Sequence, residues 1–167
     1  MRYPKRHHQP DELDYNFERY LLAKQAIDDA ALNRSVLDEL IAHLPYTSRA
    51  TPLQVLELGS GIGTMVERMM GWELLKFADY TAVDADEELT RRAHNRLKLW
   101  SLDCGFKTNE NSPRMLDIQS MEGRVSITFE CADAYQYLER HYDKRQWDLG
   151  MAHAFMDLVD PVEMIYY

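Results

Sequence analysis

Cysteine is scarce: Cys104 and Cys131 are the two in a chain of 167 residues. That is too few for a disulfide framework or a zinc site, and both read as reduced thiols of a cytoplasmic protein. No apolar run approaches the roughly 18 residues that a membrane span requires, so no membrane partner is expected. The start, Met1 to Pro10, lacks the apolar core of a secretory signal and reads as a flexible tail. Without a secretory route, the sequon Asn33-Arg34-Ser35 carries no meaning. Positive charge is in deficit as well, with 19 Lys and Arg against 28 Asp and Glu and a net charge of −9. Such a balance argues against broad contact with nucleic acid phosphates and for a small molecule or a protein side chain as partner. No metal is expected: His7 and His8 lie in the tail, and Asp157 and Asp160 read as turn and cap residues. Glycine and proline are few, 7 and 6, and no repeat or low-complexity stretch is present. What remains is an ordinary globular composition of one domain's length, enough to bury a core.

The informative stretch is Val55-Leu56-Glu57-Leu58-Gly59-Ser60-Gly61-Ile62-Gly63-Thr64. It reads as a buried strand running into a glycine-rich turn, with a helix behind it that carries Met65, Val66, Met69 and Met70. Glycines allow backbone conformations and approaches that a Cβ blocks, so a flat ligand can lie against bare main chain there. The dinucleotide fingerprint Gly-x-Gly-x-x-Gly would need glycine at position 64, which is Thr64; this counts against a nicotinamide-linked oxidoreductase. Tyr80-Thr81-Ala82-Val83 is a second β-prone run and ends in Asp84, 21 residues beyond Gly63. A third run, Val125 to Cys131, alternates as a strand should and ends in Ala132-Asp133-Ala134.

Glu57-Leu58-Gly59-Ser60-Gly61-Ile62-Gly63 resembles motif I of the class I S-adenosylmethionine-dependent methyltransferases, and the three runs follow in that family's order over roughly residues 50 to 160. The resemblance implies an α/β fold, a Rossmann-like doubly wound parallel sheet, with S-adenosyl-L-methionine as cofactor and S-adenosyl-L-homocysteine as product. It implies that Glu57, Gly59, Ser60, Gly61 and Gly63 hold the methionine part, Asp84 the ribose and Asp133 the adenine, with Ala85 and Ala134 also at the cofactor. Structural roles stand beside these. The glycines also suit a tight turn, and Glu57 a buried salt bridge. Asp133 also suits the N-cap of a helix Ala134 to Tyr142. Asp86 caps the helix Glu87 to Leu99 as readily as Asp84 would, which leaves Asp84 available to a ligand.

Before the glycine loop, Asp11 to Leu44 is helical in pattern, broken near Asn33 or Ser35, with Val36, Leu37, Leu40, Ile41 and Leu44 on the second helix. Residues 11–50 are thus expected to form a helical cap and 51–167 the cofactor-binding domain. Residues 101–123, with Asn109-Glu110-Asn111-Ser112-Pro113, exceed an ordinary helix-to-strand connection and read as a surface excursion. Asp148 to Ala152 reads as the fourth strand, and Asp160-Pro161-Val162-Glu163 opens a helix as a capping box. His153 falls at the carboxyl end of that fourth strand, where ligands of open α/β sheets sit, and is the candidate general base for a hydroxyl or amine acceptor; packing beside the cofactor is its structural alternative. Family members that methylate nucleobase amines carry Asn/Asp-Pro-Pro-Tyr/Phe here, whereas this chain has Ala152-His153-Ala154-Phe155.

The family's sheet has seven strands, and this sequence is expected to supply four of them before it stops at Tyr167. An apolar edge strand invites pairing with another copy of the chain. The expectation is methyl transfer to a small-molecule or protein side-chain acceptor, with a non-catalytic cofactor-binding or assembly module as the alternative.

Overall fold

The protein is described by a computed structural model over residues 33–141 and 143–153. The chain divides into two units, residues 1–39 and 40–167. The tail, the helix expected from Asp11 and the capping box at Asp160 lie outside the described residues. Helix α1 spans Arg34–His43. The Asn33 side chain accepts from the amides of Ser35 at 3.0 Å and Val36 at 3.4 Å, which caps the helix and fixes its start at Asn33.

From residue 53 the chain alternates strand and helix: β1 Leu53–Leu58, α2 Thr64–Gly71, β2 Phe77–Asp84 and α3 Glu87–Asp103. Then come β3 Lys107–Ser112, β4 Met115–Gln119, β5 Arg124–Cys131, α4 Ala134–His141 and β6 Leu149–Met151. The six strands form one sheet in the order β3-β4-β5-β2-β1-β6. β5, β2, β1 and β6 are parallel neighbours. The steps from β1 to β2 and from β2 to β5 move in one direction, and right-handed crossovers put α2 and α3 on one face. The chain then returns past β1 to β6, which carries α4 to the other face. Apolar side chains accordingly separate into two clusters. Val55, Met69, Tyr80, Leu97, Ile127 and Phe129 pack on the α2–α3 face, and Leu56, Leu58, Val83, Ala134 and Tyr137 on the α4 face. The order reverses between β1 and β6, the kind of switch point where open α/β sheets take their ligands.

Residues 101–123 do not loop away from the sheet. α3 continues through Asp103 and ends where Gly105 takes φ 79° and its amide bonds to the Leu102 carbonyl at 2.9 Å. β3 and β4 then form an antiparallel hairpin that extends the sheet beyond β5. Leu116 and Ile118 of β4 point inward and are fully buried. Asp117 between them faces the other way and accepts from Ser126 Oγ at 2.7 Å, Asn111 Nδ2 at 2.8 Å and Arg124 at 2.9 Å. The turn that leads back into β5 needs glycine: a Cβ at Gly123 would lie 1.9 Å from the Lys76 carbonyl oxygen.

Candidate functional site

The chain leaves β1 through three left-handed glycines, Gly59 at φ 70°, Gly61 at 53° and Gly63 at 76°. At Gly61 an added Cβ would meet nothing within 4 Å, so the middle of the loop presents bare backbone to open space. At Gly63 the same atom would come within 2.8 Å of Leu97 Cδ1 on α3. That position therefore needs glycine both for its conformation and for the close packing of α3 beneath it. Arg96, also on α3, donates to the Ile62 carbonyl at 3.2 Å and to Glu67 of α2 at 2.7 Å. The Ser60 amide bonds to the Val83 carbonyl at 3.0 Å, and the Gly63 amide to the Ser60 carbonyl at 2.9 Å. The loop is thus held by β2 and α3.

Asp84 ends β2 against this loop. One of its oxygens accepts the Gly61 amide at 2.7 Å and the other the Asp86 amide at 2.9 Å. A carboxylate offers about four lone-pair directions, so these two bonds orient it without exhausting it. Asp86 caps α3 as expected, accepting from the amides of Glu88 at 2.8 Å and Leu89 at 3.1 Å. Ala85 between the two is exposed, and its carbonyl accepts the Cys131 thiol at 3.7 Å. Asp84 is paired with Cys131 across β2 and β5, which brings Asp133 to the neighbouring strand tip. Asp133 is exposed, and its side chain accepts the Gln136 amide at 3.1 Å at the start of α4. Ala134 is buried as the first residue of that helix. His153 follows β6, whose Met151 is paired with Glu57 of β1, and is half-buried. Glu57, the glycine loop, Asp84 with Ala85, Asp133 with Ala134, and His153 therefore all stand at or beneath the carboxyl ends of four adjacent parallel strands.

Glu57 lies below the others. It is 3% exposed and accepts the Tyr80 hydroxyl at 2.7 Å. Both side chains are on the α2–α3 face, which also buries Arg68 of α2. Burial raises the Glu57 carboxyl to about 7; the Tyr80 bond opposes this, the Asp84 charge adds to it, and the Arg68 charge opposes it. Burial also pushes the Tyr80 hydroxyl well up, and the nearby Glu57 charge pushes it further. Tyr80, Arg68 and Arg96 were not singled out by the sequence. The one available signal was polarity out of place: Arg68 sits within the otherwise apolar face of Met65, Val66 and Met69.

No family model and no curated protein matches the chain. Among solved structures the chain is similar to the plantazolicin methyltransferase BpumL in complex with SAH, with a TM-score of 0.54 and 19% identity. The match covers 95% of this chain and 48% of that one, so the chain spans about half the length of that structure. The fold is Rossmann-like, of the methyltransferase type. At this identity the likeness is one of fold alone. In this chain four parallel strands and the β3–β4 hairpin make up the sheet.

Among the described residues no helix is long and apolar enough to cross a membrane. None of their His, Cys, Asp and Glu side chains gather into a metal-binding group.

Proposed function

We propose that this chain is the cofactor-binding part of an S-adenosylmethionine-dependent methyltransferase that acts on a small molecule or a protein side chain. The supporting observation is the conjunction at the carboxyl edge: a left-handed three-glycine loop whose centre faces open space, with the Asp84 carboxylate bonded to that centre at 2.7 Å. The architecture shared with a methyltransferase solved with SAH adds to it. Gly59, Ser60, Gly61 and Gly63 would hold the methionine part, Asp84 and Ala85 the ribose, and Asp133 and Ala134 the adenine.

When bound, the cofactor supplies a methyl group on an already activated sulfonium. The chain's own tasks are then to exclude water, align the acceptor and take its proton. The Gly61 amide is already committed to Asp84, so the loop offers shape and its remaining backbone groups rather than that donor. Glu57 would support the loop from beneath, since its carboxyl is sealed and bonded to Tyr80. His153, next to the β1–β6 switch point, would receive the acceptor's proton. The net charge of −9 favours a small or cationic acceptor over a nucleic acid. A cytoplasmic location and self-association through the β6 edge complete the proposal.

A binding module without turnover is the second reading, favoured by the bond that commits Asp133 to capping α4. Calorimetric titration with S-adenosylmethionine, followed by an assay for released S-adenosylhomocysteine, separates the two. Heat with product in the presence of an acceptor supports the enzyme, and heat without product the module. Absence of heat removes both.

A further inference from the structure

A second concavity lies on the sheet face that α3 covers. There the first half of α3 and the tip of the β3–β4 hairpin stand apart over the end of β5, leaving a groove of about 1150 Å³. Its lining includes none of the glycine loop, Glu57, Asp84 or Asp133; Ala85 and Cys131 form the rim nearest to them. Charged side chains dominate the walls, and most are already matched. Arg91 is held by Glu88 at 2.8 Å and Lys98 by Glu110 at 2.6 Å, while Asp86 caps α3.

Among the described lining groups without a partner, which include the exposed Glu87, two bear on a ligand. Arg114, exposed at the hairpin tip, has no ion pair among the described residues. His94 is 8% exposed, and its Nε2 is sealed from solvent without a hydrogen-bond partner. Its ring stands edge-on to Phe129 with centroids 5.3 Å apart, a contact that does not replace a hydrogen bond. An orphaned buried polar atom is costly and calls for an explanation. Here the ring forms part of a groove wall, so a modest rotation would bring Nε2 to an occupant. The same groove is lined by the apolar Pro113 and Phe129 and by Cys131.

We propose that this groove is a second ligand site, for a small aromatic carboxylic acid. Its carboxylate would pair with Arg114, its ring would lie against the apolar lining, and a ring hydroxyl would reach His94 Nε2. Guanidinium and carboxylate are geometrically complementary, which makes the anion the specificity element. The groove flanks β5, two strands from β1, so it is not placed to receive a methyl group at the β1–β6 switch point. The site stands independently of the cofactor proposal.

The test uses the full chain labelled at histidine ring nitrogens. It is titrated with 4-hydroxybenzoate and, in parallel, with neutral 4-hydroxybenzamide. The expected result is a saturable shift of the His94 Nε2 signal, with the acid bound roughly tenfold more tightly than the amide. Arg114→Gln should weaken the acid to the level of the amide while leaving S-adenosylhomocysteine binding unchanged. Gly61→Ala should leave the acid's affinity unchanged, which separates this site from the glycine loop. Equal affinity for acid and amide, an unmoved His94 signal, or indifference to Arg114→Gln would each overturn the proposal.

Discussion

The parallel strands and the β3–β4 hairpin belong to one sheet but are stabilised differently. β1 and β2 give buried apolar residues to the clusters on both faces of the sheet, as buried parallel strands do, while β5 alternates and gives Val125, Ile127 and Phe129 to the α2–α3 face. The hairpin is an edge addition. β4 buries Leu116 and Ile118, whereas β3, Lys107-Thr108-Asn109-Glu110-Asn111-Ser112, buries nothing and is held by the ladder and by the bonds to Asp117. Burial therefore anchors the strands that carry the glycine loop and Asp84, and polar bonding holds the outermost strand, β3, at the sheet edge.

Five substitutions break or sharpen that contrast. The largest effect is expected in the parallel core: Ile127→Ala should cost about 2–5 kcal/mol. Lys107→Ala, on exposed β3, should stay within about 0.5 kcal/mol. Urea unfolding of both variants measures the difference, and similar costs would refute it.

The next concerns Glu57. Its carboxyl is raised from 4.5 to about 7 in the folded chain, so the folded state binds its proton more tightly than the unfolded state does. Stability from this group is fully present below pH 4.5 and is lost as pH rises to about 7. The loss amounts to roughly 3 kcal/mol by linkage. Subtracting the stability of Glu57→Gln from that of the native chain, measured from pH 4 to 8, should reveal this decline. A flat difference would mean that Glu57 is not the buried group described.

A smaller effect belongs to Asp117. Burial pushes its carboxyl up, but hydrogen bonds from Ser126, Arg124 and Asn111 outweigh this and leave it below the usual range. Its stabilisation is therefore present above the unfolded value and is lost as pH falls through the folded one. Asp117→Asn should cost about 1–2 kcal/mol near neutrality and remove that acid sensitivity. Amide exchange should quicken in β3 and β4 ahead of β1 and β2. Uniform quickening across the sheet would contradict a separately anchored hairpin.

A modest change in stability is expected at Gly61. Alanine there meets no neighbour but must hold φ 53°, a penalty of about 1 kcal/mol. Its methyl group would project into the space above the loop. Affinity for S-adenosylhomocysteine should fall at least tenfold although the fold is kept; unchanged affinity would place the cofactor elsewhere.

Much of this was legible from the residues. Val55 to Gly63 announced a buried strand and its turn because glycine and aliphatic residues are each confined there by physics. Asp86 followed by Glu87 and Glu88 announced a cap. The hairpin was illegible because an edge strand polar on both faces has no alternation to read, and β4 supplies two inward residues only. Long-range pairs escaped for another reason. Tyr80 finds Glu57 through strand register, and Arg96 reaches Ile62 across 34 positions, neither of which periodicity encodes. At Asp84 the sequence shows a carboxylate at a strand end but not the Gly61 amide that faces it.

The most direct test is amide chemical-shift mapping of the full chain on titration with S-adenosylhomocysteine. The expected result is a saturable response centred on Gly59 to Gly63, Ala85 and Ala134, with β3 and β4 unmoved. No response at the glycine loop, or one centred on the hairpin, would contradict a cofactor seated across the carboxyl ends of β1, β2 and β5.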